Sequence, residues 1–134
     1  MSIDNIFLFS IKFNCGSIIK YTGMWDDSNC TVNYGYVCKK PASSDNHNPP
    51  SPPQCEDANH PEYSKFNRFC YKWIDEPKSW SDAESFCNSQ NAHLVSVLDL
   101  FEQAYVFTEV TSNPVWLGLN NKEVFFTFGK ELSN

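Results

Sequence analysis

Six cysteines, at positions 15, 30, 38, 55, 70 and 87, are the residues of this 134-residue chain that most constrain its chemistry. None are spaced as CxxC, the arrangement that clamps zinc, and six in so short a chain read as a disulfide framework. Disulfides persist in oxidising surroundings, so an extracellular or luminal compartment follows. Several pairings are open to six cysteines, and their spacing alone does not choose among them. The histidines offer no catalytic constellation. His47 stands in a proline-rich stretch, His60 beside Pro61 and His93 at a helix-to-strand junction, and none belongs to a pattern that would hold a nucleophile within reach of a base. An enzyme is therefore the weakest functional class. Asn29-Cys30-Thr31 meets the N-glycosylation sequon, but cysteine in its middle position is a poor acceptor context, and bridging would restrict access.

The elements that must position these residues are legible from pattern. Residues 41–54 contain five prolines and no large apolar side chain, so they form an extended linker able to reach on the order of 40 Å. Downstream, Ser81-Asp82-Ala83-Glu84 fits a capping box for a helix over 81–89, with Ala83, Phe86 and Cys87 on one face. Asn91 and Ala92 end it, and 94–97 read as a short extended piece. Asp99 with Glu102 three residues on opens a second helix to about 110, its stripe carrying Phe101, Ala104, Tyr105 and Thr108. Residues 115–120 form a buried strand, with Gly118 where a neighbour packs close. Upstream, 16–21 and 34–39 are strands separated by a polar turn around 26–29. The mixture is α+β, two helices flanking antiparallel strands. Trp73, Trp80, Trp116, Phe86 and Phe101 supply its aromatic core.

Composition excludes other classes. A chain 41% hydrophobic and 16% aromatic has the material for one core. A net charge of −6 argues against nucleic acid and anionic membrane surfaces, both of which need clustered Lys and Arg. The start, MSIDNIFLFSIKF, has a short apolar run and an acidic flank, so it is neither a convincing signal peptide nor a segment that inserts into a membrane.

Trp25-Asp26-Asp27-Ser28-Asn29-Cys30 and Tyr36-Val37-Cys38 precede Cys70-Tyr71, Ser79-Trp80-Ser81-Asp82-Ala83-Glu84-Ser85-Phe86-Cys87, Ala92-His93-Leu94-Val95-Ser96-Val97 and Trp116-Leu117-Gly118-Leu119-Asn120. Both sets resemble the C-type lectin domain family, over residues 14–40 and 55–122, but in that family the second set opens the domain and the first closes it. The order implies residues 1–40 as the C-terminal part of one lectin domain, 41–54 as a Pro/Ser-rich linker and 55–134 as the N-terminal part of the next, as in mannose-receptor-like tandem proteins. A circularly permuted domain closing on itself is the alternative. The resemblance also implies the bridges Cys15–Cys30, Cys55–Cys70 and Cys38–Cys87, the last joining the two pieces.

Members that bind sugar hold Ca²⁺, whose remaining coordination positions accept sugar hydroxyls. The resemblance implies Asp26, Asp27 and Asn14 as an incomplete set of metal ligands, and Trp25 with Asp27 beside the sugar. Asp26 replaces the usual Asn, and Asn14 replaces an acidic residue. The family's Glu-Pro-Asn or Gln-Pro-Asp triplet is absent. Glu76-Pro77-Lys78 and Asn113-Pro114-Val115 fall on the wrong side of the domain to replace it. Three side-chain donors fall short of a calcium shell, so Ca²⁺ binding is expected to be weak or absent, and the bland reading of Asp26-Asp27 is a solvated turn. The resemblance implies a non-enzymatic recognition module whose parent protein binds glycans or glycoproteins at the cell surface or outside the cell. The alternatives are a calcium-independent module that binds protein or acts structurally, or an inert fragment lacking the sugar site.

Overall fold

The computed structural model describes residues 14–18, 25–43, 54–55, 62–108, 110 and 114–120. Expectations for the first thirteen residues, 19–21, His47, His60, Asn113, most of the linker and the last fourteen residues lie outside these. Among the described residues, seven strands and two helices follow in chain order. They are β1 (Asn14–Ile18), β2 (Trp25–Asn29), β3 (Tyr34–Pro41), β4 (Ser64–Phe66), β5 (Phe69–Lys78), α1 (Trp80–Ser89), β6 (His93–Leu94), α2 (Leu100–Thr108) and β7 (Val115–Asn120). This is the α+β architecture of a C-type lectin domain, and it is stapled by Cys15–Cys30, Cys38–Cys87 and Cys55–Cys70.

All seven strands join one sheet, in the order β2-β1-β7-β3-β5-β4, with β6 also against β3. The strand β3 organises it. It runs antiparallel to β5 from Tyr34–Lys78 to Pro41–Phe69, and its other edge is shared. There β7 lies parallel beside Gly35 and Tyr36, while β6 lies antiparallel beside Cys38 and Lys39. Val95 closes the gap: its N–H donates to Val37 O at 2.8 Å, and its own carbonyl accepts from Gly118 N at 2.7 Å. That approach explains Gly118, because a Cβ there would stand 2.4 Å from Leu94 O. The pieces on either side of the linker thus form one hydrogen-bonded structure. Ser43 and Gln54 pair backbone to backbone across it, at 2.9 and 2.6 Å.

Each helix end has a chemical cause. At α1 the cap is Ser79 rather than Ser81, its side chain accepting from Asp82 N at 3.3 Å. Pairing of β5 runs to Lys78, so the first free residue, Ser79, takes the cap. Helix α1 ends as a Schellman motif, with Ala92 N on Cys87 O at 2.9 Å, Asn91 N on Asn88 O at 3.1 Å, and Asn91 at φ 58°. Asp99 caps α2, accepting from Glu102 N at 2.7 Å.

Two further expectations are corrected. Residues 25–29 are strand β2, not a turn, because β1 pairs with them from Asn14–Asn29 to Ile18–Trp25. The turn falls at Cys30 and Thr31. The stripe of α2 carrying Phe101, Ala104 and Thr108 faces solvent, with Phe101 79% exposed. Glu102, Gln103 and Val106 form the inward face. The two polar residues are tolerated there because partners satisfy them, which hydrophobic periodicity cannot register.

The core is aromatic where expected, Phe101 aside. Trp116 is fully buried and donates to Lys78 O at 2.8 Å, Trp80 donates to Leu117 O at 2.8 Å, and Trp73 to Val106 O at 2.9 Å. Their large apolar area goes inside with none of these three indole N–H groups left unsatisfied.

Candidate functional site

Asp26 and Asp27 are consecutive in β2, the end strand of the sheet, with Asp26 exposed and Asp27 half-buried. Successive strand residues turn to opposite faces, so the two carboxylates diverge. Register places Asp26 opposite Ser17 and Asp27 opposite Gly16. Asn14 stands opposite Asn29, at the far end of the β1–β2 pair from Trp25. Among the described residues, no three His, Cys, Asp or Glu side chains group to hold a metal. Diverging carboxylates do not make the convergent oxygen shell Ca²⁺ requires, and the donors described here do not fit that ion.

Trp25 is 7% exposed and packs in the core cluster containing Ile18, Val37 and Leu117. Its indole N–H donates to Gln103 Oε1 on α2 at 2.6 Å. The strand that carries Asp27 is thereby pinned to the second helix. Ser17 Oγ approaches Ser28 Oγ at 3.3 Å, holding β1 and β2 in register.

A cluster that sequence reading missed lies elsewhere. Lys39 on β3 and Glu102 on α2 form a buried ion pair, their side chains 6% and 7% exposed. Glu102 Oε2 also accepts from Tyr71 Oη at 2.5 Å, and Oε1 from Leu98 N at 2.9 Å. Lys39 Nζ donates to Ser96 O at 2.9 Å and sits 4.2 Å over the Phe69 ring. Burial first, then the Glu102 hydrogen bond and charge, hold the Tyr71 hydroxyl far above its ordinary pKa. Lys39, Phe69, Tyr71 and Glu102 line a cavity of about 740 Å³ with Phe66 and Leu98 at its walls. The ammonium and carboxylate neutralise one another, so the cluster ties β3, β5 and α2 together. Only the Asp99–Glu102 spacing hinted at it. Nothing in the pattern marked Lys39 as inward.

His93 is exposed, its Nδ1 3.1 Å from Glu84 Oε1. This is a surface pairing on α1 and β6.

Comparison with known proteins places these features in a wider group. Residues 76–131 match the family model described as Lectin C-type domain. C-type mannose receptor 2 of Rattus norvegicus is 36% identical over 107 residues, covering 77% of this chain and 7% of the receptor. A snaclec of Philodryas olfersii is 42% identical over 65 residues, covering 44% of this chain and 42% of the snaclec. The secretory phospholipase A2 receptor of Bos taurus is 26% identical over 129 residues, covering 88% of this chain and 8% of that receptor. The chain thus spans less than a tenth of the receptors' length. No solved structure matches.

Proposed function

Because this chain belongs to the C-type lectin domain family, we propose that it is a non-enzymatic recognition module of a larger extracellular or cell-surface protein that binds glycans or glycoproteins. The observation that carries this reading is the span of the mannose-receptor match. A match covering 77% of 134 residues must cross the 41–54 linker wherever it begins, so one receptor aligns with both pieces in this order. The snaclec match covers less than half of the chain. This supports the division into residues 1–40, the end of one lectin domain, the linker 41–54, and residues 55–134, the start of the next, two pieces that pair in one sheet and share the Cys38–Cys87 bridge. Three disulfides support the oxidising compartment. Among the described residues, no helix is long and apolar enough to cross a membrane.

In this reading the chain supplies a rigid frame. Trp25, through Gln103, positions β2, and the surface offered to a ligand in this reading is that strand on the side of exposed Asp26, with Asp27 on its other face and Asn14 in register with Asn29. Recognition by this surface works through hydrogen bonds from the strand and its polar side chains. A second reading, calcium-independent binding of protein, is favoured by the divergence of Asp26 and Asp27.

A glycan array probed with the full chain, with and without chelator, separates them. Sugar binding that survives chelator supports glycan recognition through the strand's polar groups, whereas chelator-sensitive sugar binding would reveal a calcium site that the described donors do not form. Chelator-insensitive binding to protein alone supports the second reading, and binding to neither overturns both for this chain. Calorimetric titration is expected to show no Ca²⁺ site tighter than about millimolar, given so few convergent donors.

A further inference from the structure

We propose that Asn29 is the acceptor of an N-linked glycan. Asn29-Cys30-Thr31 is the sole Asn-x-Ser/Thr sequon in the 134 residues. The sequence raised two objections: a cysteine in the middle position, and a bridge that would close off access. The structure answers the second. Cys30 is drawn back to Cys15 on β1 by the disulfide, while Asn29 and Thr31 on either side of it are both exposed.

The local geometry is that of an exposed turn at the end of a strand. Thr31 donates twice to Asn29 Oδ1, from its backbone N at 3.0 Å and from Oγ1 at 2.8 Å. Both bonds use the amide oxygen, so the amide nitrogen, the atom that forms the glycosidic bond, is not consumed by either. Space for a bulky product comes from topology. Among the described strands β2 ends the sheet order, with β1 as its neighbour there, and Asn29 is its last residue.

The transfer balances with a polyprenyl-pyrophosphate-linked oligosaccharide as donor. Asn29 Nδ2 attacks the anomeric carbon, the carbon–oxygen bond to pyrophosphate breaks, and lipid pyrophosphate leaves with the electron pair. Nδ2 loses one proton to base. The reaction occurs on the extended chain as it enters the oxidising compartment, before Cys30 is bridged, and the folded structure accommodates the product.

The test is secretion of the full chain from cultured vertebrate cells behind a cleavable leader, with non-reducing mass spectrometry confirming three disulfides. Peptide-N-glycosidase digestion in ¹⁸O water is expected to lower the mass and leave labelled aspartate at position 29. Thr31→Ser is expected to retain the shift, whereas Thr31→Ala and Asn29→Gln abolish it. An unmodified Asn29 in the secreted, fully bridged wild-type chain overturns the proposal. So does a shift that survives Thr31→Ala.

Discussion

Lys39 and Glu102 form a buried ion pair between the strand before the linker and a helix beyond it, 2.5 Å from Nζ to Oε2. Removing one partner strands the other's charge away from water, a loss of about 3–5 kcal/mol, whereas removing both forfeits far less. Lys39→Met should therefore destabilise the chain strongly. Lys39→Met with Glu102→Gln should recover part of the loss, since no charge is left buried, the Gln carbonyl can still accept from Leu98 N, and its amide N–H can donate to the Tyr71 hydroxyl. Urea unfolding of the two variants measures this, and a single variant within about 1 kcal/mol of wild type would show the pair to be dispensable.

The Cys38–Cys87 bridge spans 49 residues and joins β3 to α1, whereas Cys55–Cys70 spans 15. In the chain-entropy model the longer loop contributes about 4 kcal/mol and the shorter about 3. Replacing Cys38 and Cys87 together by serine should cost more stability than replacing Cys55 and Cys70. It should also leave residues 14–43 open to limited proteolysis at the linker. Equal protease resistance in the two variants would mean that the shared sheet holds the pieces without the bridge.

What the sequence revealed and what it hid separate along one line. The family resemblance implied the Cys38–Cys87 join, and local residue type made Gly118 under Leu94 and Asn91 ending α1 readable. Features created by pairing between distant residues were not. Glu102 and Gln103 looked like solvent-facing residues until Lys39, Tyr71 and Trp25 were placed against them, and so the wrong face of α2 seemed apolar. Asp26-Asp27 looked like a turn because the pairing that makes it a strand comes from β1. The resemblance supplied Asp26, Asp27 and Asn14 only as a list of residues without geometry, since divergence of the two carboxylates follows from strand structure alone.

Tyr36 is buried, and among the described residues its hydroxyl has no hydrogen-bond partner. Burial, with smaller effects from Glu76 and Tyr63, pushes its pKa up to about 12 from 10.0. The unfolded chain loses this proton first as pH rises, so stability is fully present below pH 10 and falls between 10 and about 12. Tyr36→Phe should flatten that alkaline decline. At neutral pH it should be neutral or stabilising by about 1 kcal/mol, because an unsatisfied buried polar atom is removed. Unfolding midpoints measured across this alkaline range check the sign, and a neutral-pH loss above about 2 kcal/mol would mean that the hydroxyl has a partner in solution.

Trp25 and Gln103 test whether the strand carrying Asp26 and Asp27 is held from beneath. Trp25→Phe keeps an aromatic ring in the core but withdraws the indole donor from buried Gln103, a lost hydrogen bond costing about 1 kcal/mol beyond the smaller ring's packing loss. Gln103→Met alone withdraws the acceptor from the indole N–H instead. The double variant removes both partners, so a hydrogen bond between the two predicts a coupling of about 1 kcal/mol in a double-mutant cycle. Amide exchange in β2 supplies the functional readout. If the bond positions the candidate surface, protection at Asp27 and Ser28 should fall in Trp25→Phe by more than in Trp73→Phe, which loses a comparable indole bond to Val106 O elsewhere in the core. Equal losses in the two variants would reduce Trp25 to a core residue with no particular hold on the strand.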